Sequence, residues 1–288
     1  MATIMTKRTK GMPKRRSDVA VNVMLTTGAV LVLGVAILAI FAPLFTAWGP
    51  VQIDPTAIRQ APSPEHILGT DQNGMDVWSR VLYSGRIDLG VAIASVAIAV
   101  VIGSLIGVVA GYFGGWLDAI VMRILEIFQA FPTFILALAV AAMLGPGIGN
   151  LIAVVGVVSI PSYARLVRAE VRTVRELAYV DAAKTSGIGS VKVIARHVLP
   201  NSLMAVRTVA PLNVGWAMLA LAGLSFLGLG VPVPEPEWGA MISQGTSDIV
   251  SGRLWTTIPP GIALVVCVLG FSLLGEGLQE RETRRKSR

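Results

Sequence analysis

Long apolar runs alternate with short polar segments along most of this 288-residue chain. A helix that crosses the hydrocarbon core of a bilayer needs about 20 apolar residues. Six runs approach or exceed that length: 21–45, 89–112, 120–144, 151–166, 203–229 and 258–278. The fourth run is the shortest and contains Pro161, which a membrane helix tolerates when its neighbours satisfy the freed backbone groups. The pattern therefore predicts six transmembrane helices.

The composition agrees with a membrane location. Hydrophobic residues make up 54% of the chain and charged residues only 14%, so a water-soluble core would lack a polar shell. The first apolar run is too long for a secretory signal peptide and has no small-residue cleavage site. The single cysteine, Cys267, has no partner for an internal disulfide and is expected to be a buried apolar residue. The fold class is an all-α membrane protein.

The distribution of Lys and Arg predicts the orientation. Basic residues concentrate before the first run, between the fourth and fifth runs, and after the sixth run. They include Lys7, Arg8, Lys10, Lys14, Arg15 and Arg16, then Arg165, Arg168, Arg172, Arg175, Lys184, Lys192 and Arg196, and finally Arg281, Arg284, Arg285, Lys286 and Arg288. With six helices these segments share the cytoplasmic side, and both termini lie there. The net charge of +7 reflects this bias and an attraction to anionic membrane lipids, and no nucleic-acid partner is expected.

The most informative polar segment is YVDAAKTSGIGSVKVIARHVLPN at residues 179–201. Apolar or small residues recur at helical spacing before Gly187 and give a face that can lie flat against a partner. These residues are Val174, Ala178, Ala182 and Ser186. Gly187 supplies a left-handed residue that ends this helix. Ser190 is expected to cap a second short helix with Val191, Ile194 and Val198 on one side, and Pro200 to stop that helix or open the next segment.

The order Asp181-Ala182-Ala183, Gly187 and Leu199-Pro200 resembles the EAA loop of binding-protein-dependent ABC importers. In that family the loop forms a coupling helix that sits in a cleft of the ATPase subunit. This chain has Asp181 where the family usually has Glu, and His197 where many members have Ile. The resemblance implies that ATPase coupling is carried by Tyr179, Asp181, Ala182, Ala183, Gly187, His197, Leu199 and Pro200. Residues 173–201 are called the EAA segment below.

Other motifs resemble the C-type permease subunit of dipeptide and oligopeptide importers. They are LGTDQNGMDVWSR at 68–80, AGYFGGWLDAIVMR at 110–123, PSYARLVRAEV at 161–171, and LSFLGLG at 224–230 followed by PEWG at 236–239. The resemblance implies a type I ABC importer permease fold in the bacterial inner membrane. It also implies four partners, namely a homologous second permease, two ATPase subunits and a periplasmic substrate-binding protein.

The chain divides into a basic cytoplasmic tail (1–19), a first transmembrane helix (20–45), a periplasmic insertion (46–86), a permease core of five helices (87–280) and a second basic tail (281–288). The insertion is expected to hold a short helix at 76–83, with Val77, Val81 and Ser84 against the membrane domain. Trp238 and Trp255 suit an interfacial belt. Gly103, Gly107 and Gly111 have the four-residue spacing that permits close helix packing.

No catalytic or metal site is expected in this chain. It lacks the G-x-x-x-x-G-K-[ST] loop that holds ATP phosphates, so ATP and Mg²⁺ belong to the partner subunits and no cofactor is expected here. It also lacks H-E-x-x-H, and its two histidines, His66 and His197, are far apart in the sequence. His197 has two interpretations, a packing residue or a proton sensor.

A translocation path through the fifth apolar run would use Asn213, Trp216 and Met218, which provide polar, aromatic and adaptable surface around Pro211. Asn213 alternatively forms a hydrogen bond between helices. The functional hypothesis is a permease subunit of a bacterial ABC importer for peptides. The alternatives are the same role for nickel chelates, glutathione or opine-like solutes, or a stand-alone secondary transporter.

Overall fold

The computed structural model describes residues 14–286, with side chains from Asp18 to Arg285. Over these residues the chain is helical, and its β structure is limited to two isolated bridges, Ile53 with Met75 and Thr70 with Asp76. The basic residues expected at Lys7, Arg8 and Lys10 lie outside the described residues, as do residues 287–288.

The described residues form twelve α-helices. They are α1 (Lys14–Ile40), α2 (Ala42–Phe45), α3 (Val77–Phe113), α4 (Gly115–Gln129), α5 (Thr133–Leu144), α6 (Ile148–Val174), α7 (Ala178–Thr185), α8 (Ser190–Val193), α9 (Leu199–Ser202), α10 (Met204–Phe226), α11 (Trp238–Ile249) and α12 (Ile258–Lys286). A π-helix (Ile194–Val198) joins α8 to α9, and a 3₁₀ turn (Leu254–Thr256) precedes α12.

Five helical segments in the described part of the chain are long and apolar enough to cross a membrane. They are Asp18–Ile40, Val77–Phe113, Ile148–Val174, Met204–Phe226 and Leu254–Arg285. Each contains most of one predicted apolar run, and α6 continues through Pro161 without a break. Two runs differ from their prediction as one helix. The first, 21–45, is divided at Phe41 into α1 and the one-turn helix α2, and the third, 120–144, is broken more sharply.

The third run is broken between α4 and α5, which meet at an angle of 84°. The break lies at 130–132, where Pro132 is the N-cap of α5. Proline disfavours the helical conformation of the residue before it and lacks the N–H that would continue the hydrogen-bond ladder. Counted together as one broken span, the two helices make a sixth candidate crossing; the run is not one straight helix.

The short helix predicted at 76–83 is the beginning of α3 rather than a separate element. Asp76 caps α3, with its carboxylate accepting a hydrogen bond from the Ser79 amide at 2.7 Å. Val77, Val81 and Ser84 are buried, as expected. At 37 residues, α3 is about 55 Å long, well beyond the roughly 30 Å of the hydrocarbon core. Its ends therefore reach two opposite ends of the bundle.

The insertion is fastened at the N-terminal end of α3 by charged and backbone contacts. Arg59 donates to the buried Asp248 carboxylate at 2.8 Å. Arg80, which is 1% exposed, donates from Nη1 to the carbonyls of Pro50 and Pro234, both at 3.0 Å. These contacts join the insertion to the segment between α10 and α12. This end of the bundle is called the insertion end below.

The predicted close packing at Gly103, Gly107 and Gly111 is confirmed. All three glycines of α3 face α6 at backbone distance. A Cβ on Gly107 would lie 2.5 Å from the Ala164 carbonyl oxygen, and one on Gly103 would lie 2.7 Å from the Tyr163 Cβ. Every residue with a side chain would separate the two helices here.

The remaining helices surround this pair. Helix α10 packs against α3 and α12, and α1 lies along α12. The contact between α1 and α12 is also close, because a Cβ on Gly28 would lie 2.7 Å from the Gly270 carbonyl oxygen. The buried core is therefore shared by α3, α6, α10 and α12, with α1 on the outside.

Replacing Gly107 by alanine is expected to destabilise the protein by about 1–3 kcal/mol, because the new methyl group meets backbone atoms that cannot rotate away. Gly90→Ala in the same helix is the matched control. Nothing lies within 4 Å of a Cβ at Gly90, and alanine favours a helix by about 0.5–1 kcal/mol. Thermal unfolding in detergent measures both variants, and equal melting temperatures would contradict the packing described here.

Candidate functional site

The EAA segment folds as helix, turn and helix at the end of the bundle opposite the insertion. Helix α7 ends at Thr185 and the chain reverses at Gly187, whose φ is +78°. The Ile188 amide bonds to the Ala183 carbonyl at 3.3 Å, and the Gly187 amide bonds to the Lys184 carbonyl at 3.0 Å. This is the Schellman arrangement that a left-handed residue permits. The predicted role of Gly187 as the turn residue is confirmed.

The second half of the segment differs from the prediction. Gly189 is the N-cap of α8, and Ser190 is its first residue with no capping hydrogen bond from its side chain. Val191 is 80% exposed whereas Val198 is buried, so the two do not share a face. A π-helix at Ile194–Val198 changes the register between them. Pro200 opens α9, which is one of the two expected outcomes.

The absence of an amide hydrogen on Pro200 gives the physical reason for the π-helix. A regular α-helix would need a donor at position 200, which proline cannot supply. The Leu199 amide instead bonds to the Ile194 carbonyl, five residues back. The extra residue in this turn rotates the following side chains, so Val193 and Val198 both reach the core.

The coupling residues predicted from the resemblance divide into exposed and buried groups. Tyr179, Asp181, Ala182, Gly187 and Pro200 are exposed, and His197 and Leu199 are half-buried. Ala183 is only 7% exposed and packs with the hydrophobic core of its own chain. The flat exposed face of α7 is therefore formed around Ala182, and Ala183 holds α7 to the bundle.

Tyr179 and His197 meet across the turn. Their ring centroids are 6.3 Å apart. The Tyr179 hydroxyl accepts a hydrogen bond from Asn201 at 3.1 Å, and Asn201 also donates to the His197 carbonyl at 2.7 Å. The geometry favours the packing interpretation of His197. Asn201, which joins the two halves of the segment, was not identified from the sequence.

A cleft of about 410 Å³ opens beside α7. Its lining carries both signs of charge and consists of Tyr112, Arg175, Glu176, Asp181 and Lys184. Asp181 is 63% exposed by side chain and pairs with Lys184 at 3.0 Å. Exposed pairs of this kind contribute little to stability, typically below about 1 kcal/mol. The Asp181 carboxylate can therefore exchange its partner at low cost.

The predicted translocation residues on α10 do not share one surface. Trp216 is 39% exposed, but Met218 is 1% exposed and lies in the core. Two residues turn a helix by about 200°, so the two side chains point to nearly opposite sides. The prediction that Met218 lines a path together with Trp216 is wrong. Asn213 is half-buried and lies beside Tyr163 of α6, which favours the alternative of a contact between helices.

The exposed stripe of α10 consists instead of Trp216, Leu219 and Phe226, at 39%, 51% and 44% exposure. These positions follow helical spacing and flank Gly223, where a Cβ would lie 2.9 Å from the Phe134 ring of α5. Helix α5 thus contacts α10 within the exposed stripe. The three large side chains are named the α10 stripe below.

Two buried carboxyl groups at the insertion end were not identified from the sequence. Glu237 is fully buried and accepts hydrogen bonds from the Gly239 and Ala240 amides at 2.8 and 2.7 Å. Asp88 of α3 accepts from the Trp238 amide at 3.2 Å. Burial raises the pKa of Glu237, and the two amide bonds oppose that shift. For Glu237 the signal in the sequence was an acidic residue directly before an amphipathic run, where a carboxylate can accept the free amides of a helix N-terminus.

Trp238 does not lie in an interfacial belt, so that expectation is wrong. It is 1% exposed, and its indole N–H donates to the Val81 carbonyl of α3 at 3.0 Å. Trp255 is half-buried against the insertion, where a Cβ on Gly69 would lie 2.9 Å from its ring. Both aromatic side chains therefore join segments of the chain to one another.

Comparison with known proteins adds a family to this geometry. Residues 103–288 match the family model described as the binding-protein-dependent transport system inner membrane component. The matched region begins at Gly103, within α3, and contains α4 to α12 and the EAA segment.

Individual relatives are similar over most of the chain. A dipeptide transport system permease of Alkalihalophilus pseudofirmus is 39% identical over 90% of this chain and 85% of that protein. A glutathione transport system permease of Pectobacterium atrosepticum is 40% identical over 77% of this chain and 74% of that protein. A probable D,D-dipeptide transport system permease of Escherichia coli is 39% identical over 88% of this chain and 85% of that protein.

Proposed function

Because this chain belongs to the family of binding-protein-dependent transport system inner membrane components, we propose that it is a permease subunit that imports short peptides across a bacterial inner membrane. The observation that carries the proposal is the exposed helix α7, followed by a Schellman turn at Gly187. A stand-alone secondary transporter would have no use for such a docking helix.

Two ATPase subunits supply the energy in this proposal, one for each permease. The exposed face of α7 around Tyr179, Asp181 and Ala182 enters a cleft of the ATPase, and Asp181 exchanges Lys184 for a basic or amide group there. ATP and Mg²⁺ bind to the ATPases. Closure of the ATPases moves α7, and the pore alternates between its two open sides.

A second, homologous permease completes the pathway. The α10 stripe is apolar, exposed in the single chain and continuous with the contact to α5. It supports an interface in which α10 faces the other permease or the passing peptide. The binding protein delivers its peptide at the insertion end, which is the end farthest from α7.

Short peptides are the proposed substrate because two of the similar proteins carry dipeptide names. Glutathione is the second candidate, since a glutathione transport permease is 40% identical to this chain. The two candidates differ in their backbones. Glutathione is a tripeptide whose first peptide bond is formed by the γ-carboxyl group of its glutamate, whereas the peptide bond of a dipeptide is formed by an α-carboxyl group.

Uptake competition tests the substrate. Cells that contain the complete transporter are expected to accumulate labelled dialanine, with an excess of unlabelled dipeptide reducing uptake by at least tenfold and glutathione leaving it nearly unchanged. The reverse order of competition would support the glutathione role. Cells without the permease gene provide the background.

Thiol labelling tests the orientation. Val191→Cys lies at the EAA end and Val250→Cys at the insertion end, at sites where the native side chains are 80% and 92% exposed. The native Cys267 is fully buried, so its background reactivity is low, and Cys267→Ser removes it. In intact cells a membrane-impermeant reagent is expected to label position 250 only. Labelling at 191 before lysis would contradict a cytoplasmic EAA segment.

Substitution of Gly187 tests the coupling role. Gly187→Val forces a β-branched residue to a φ of +78°, at a local cost of about 1–3 kcal/mol. We expect peptide uptake and copurification of the ATPase to fall together, by about 5- to 150-fold, while the amount of the chain in the membrane stays unchanged.

Gly189→Val is the matched control for the Gly187 variant. Neither glycine has an atom within 4 Å of the position that a Cβ would occupy, but Gly189 has a φ of −60° and a ψ of 146°, which valine adopts readily. The comparison therefore isolates the backbone strain. Normal uptake by Gly187→Val would show that this turn does not transmit motion, and loss of that variant from the membrane would assign the turn to folding.

A further inference from the structure

A buried carboxylate near the EAA end connects two helices that are well separated in the sequence. Asp118, in the first turn of α4, has a side chain that is only 6% exposed. Arg168 of α6 donates to both of its carboxylate oxygens, from Nε to Oδ1 and from Nη2 to Oδ2. Arg172 donates to Oδ2 at 2.9 Å. Asp118, Arg168 and Arg172 are named the Asp118 clamp.

The geometry of the clamp fixes the orientation of the Asp118 carboxylate relative to α6. Arg168 and Arg172 are one helical turn apart, so both side chains leave the same face of α6. A bidentate contact from a guanidinium fixes the orientation of the carboxylate in its plane, which a lysine would not do. The contact therefore ties the first turn of α4 to this part of α6.

The neighbouring Arg175 fastens α6 to α3 as well. It donates from Nη1 to the carbonyls of Gly111 and Tyr112, at 3.0 and 3.1 Å. These carbonyls lie in the last turn of α3, where the Gly107 and Gly111 contacts already bring the two backbones together. The ends of α3 and α6 and the start of α4 thus form one connected unit.

This unit lies next to α7. Arg175 is the C-cap of α6, and α7 begins three residues later at Ala178. The Lys184 side chain of α7 also donates to the Arg175 carbonyl, at 3.4 Å. Helix α7 is therefore joined to the last turn of α6 in two ways, by the short chain segment 175–178 and by the hydrogen bond from Lys184.

The Asp118 clamp is also connected, through α4 and α5, to the α10 stripe. Helix α4 continues through the 84° break into α5, and the Phe134 ring of α5 lies at Gly223 of α10. Without Asp118, the charged connection from α6 to α4 would be lost, although the glycine contacts to α3 would remain. The charged contact therefore joins α6 to α4 and, through α4, to α5, and it does not contribute to the packing of α6 on α3.

We propose that Asp118 is a positioning residue that transmits movement of α7 to α4 and α5. The inference rests on the proposed function, because it requires an ATPase that moves α7. A purely structural role for the clamp is the competing explanation. If Asp118 transmits movement, its loss should leave ATP hydrolysis intact while α5 no longer moves. If its role is purely structural, folding, ATPase binding and transport should be lost together.

The first experiment measures movement without any transported substrate. The complete transporter carries Cys267→Ser and spin labels at Met143→Cys on α5 and Leu269→Cys on α12, sites where the native side chains are 85% and 52% exposed. Addition of a non-hydrolysable ATP analogue is expected to shift the distance between the labels. Asp118→Asn should abolish the shift, and Asp118→Glu, which keeps the charge, should retain it.

Glu126→Gln is the matched control. It removes the other ion pair of α4, Arg123 with Glu126 at 3.1 Å, whose side chains are 79% and 55% exposed. This variant changes one charge on the same helix and should leave the nucleotide-dependent shift intact. Equal loss in Glu126→Gln and Asp118→Asn would assign the effect to helix charge and overturn the proposal.

The second experiment measures coupling in proteoliposomes. Asp118→Asn is expected to lower the number of peptides imported per ATP at least fivefold, with ATPase copurification and basal hydrolysis unchanged. Charge reversal by Asp118→Arg together with Arg168→Asp should recover part of what Asp118→Arg alone loses. A normal ratio in Asp118→Asn would overturn the proposal, as would a parallel loss of folding, ATPase binding and transport.

The label experiment also separates this inference from the proposed substrate. A wild-type transporter that shows the nucleotide-dependent shift but imports neither dialanine nor glutathione would refute the substrate and leave the clamp supported. A wild-type transporter without any shift between α5 and α12 would overturn the clamp proposal itself.

Discussion

Backbone contact between α3 and α6 is the constraint on which the rest of the structure depends. Gly103, Gly107 and Gly111 remove side chains from one stripe of α3, so α6 approaches until a Cβ would collide with its backbone. In a bilayer, lipid tails are as apolar as leucine side chains, so close packing rather than exclusion of water holds helices together. The other core helices, α10 and α12, add their buried faces around this pair.

Polar groups then fix the two ends of the helix pair. At the insertion end, Asp76 caps α3, and the carboxylates of Asp88 and Glu237 accept the first free amides of α11. At the EAA end, Arg175 reaches the last carbonyls of α3 while Arg168 holds Asp118. Each contact satisfies backbone groups or charges that would be costly to bury alone. The ends are therefore defined by hydrogen bonds, and the middle by apolar contact.

This division suits a protein whose proposed task is to pass motion from one end to the other. The EAA segment combines a core-facing side, with Val180, Ala183 and Val198, and an exposed side around Ala182. Burial of the first side makes α7 part of the bundle, so a force on the second side moves the bundle instead of bending a loose loop. The buried Asp118 contacts tie α4 to α6, whereas the exposed Asp181–Lys184 pair of α7 leaves the Asp181 carboxylate accessible.

The sequence by itself determined the helical membrane class, the five helices long enough to cross a membrane and the turn at Gly187. These depend on local properties, namely the length of apolar runs and the φ that a residue permits. The resemblance of the EAA segment indicated the family. Only the tertiary structure decided that Ala183 and Met218 face inward, that Trp238 is buried, that Pro132 bends the third run, and that Asp118 meets Arg168 across 50 residues. Those outcomes depend on which helix lies opposite each face, and no local pattern carries that information.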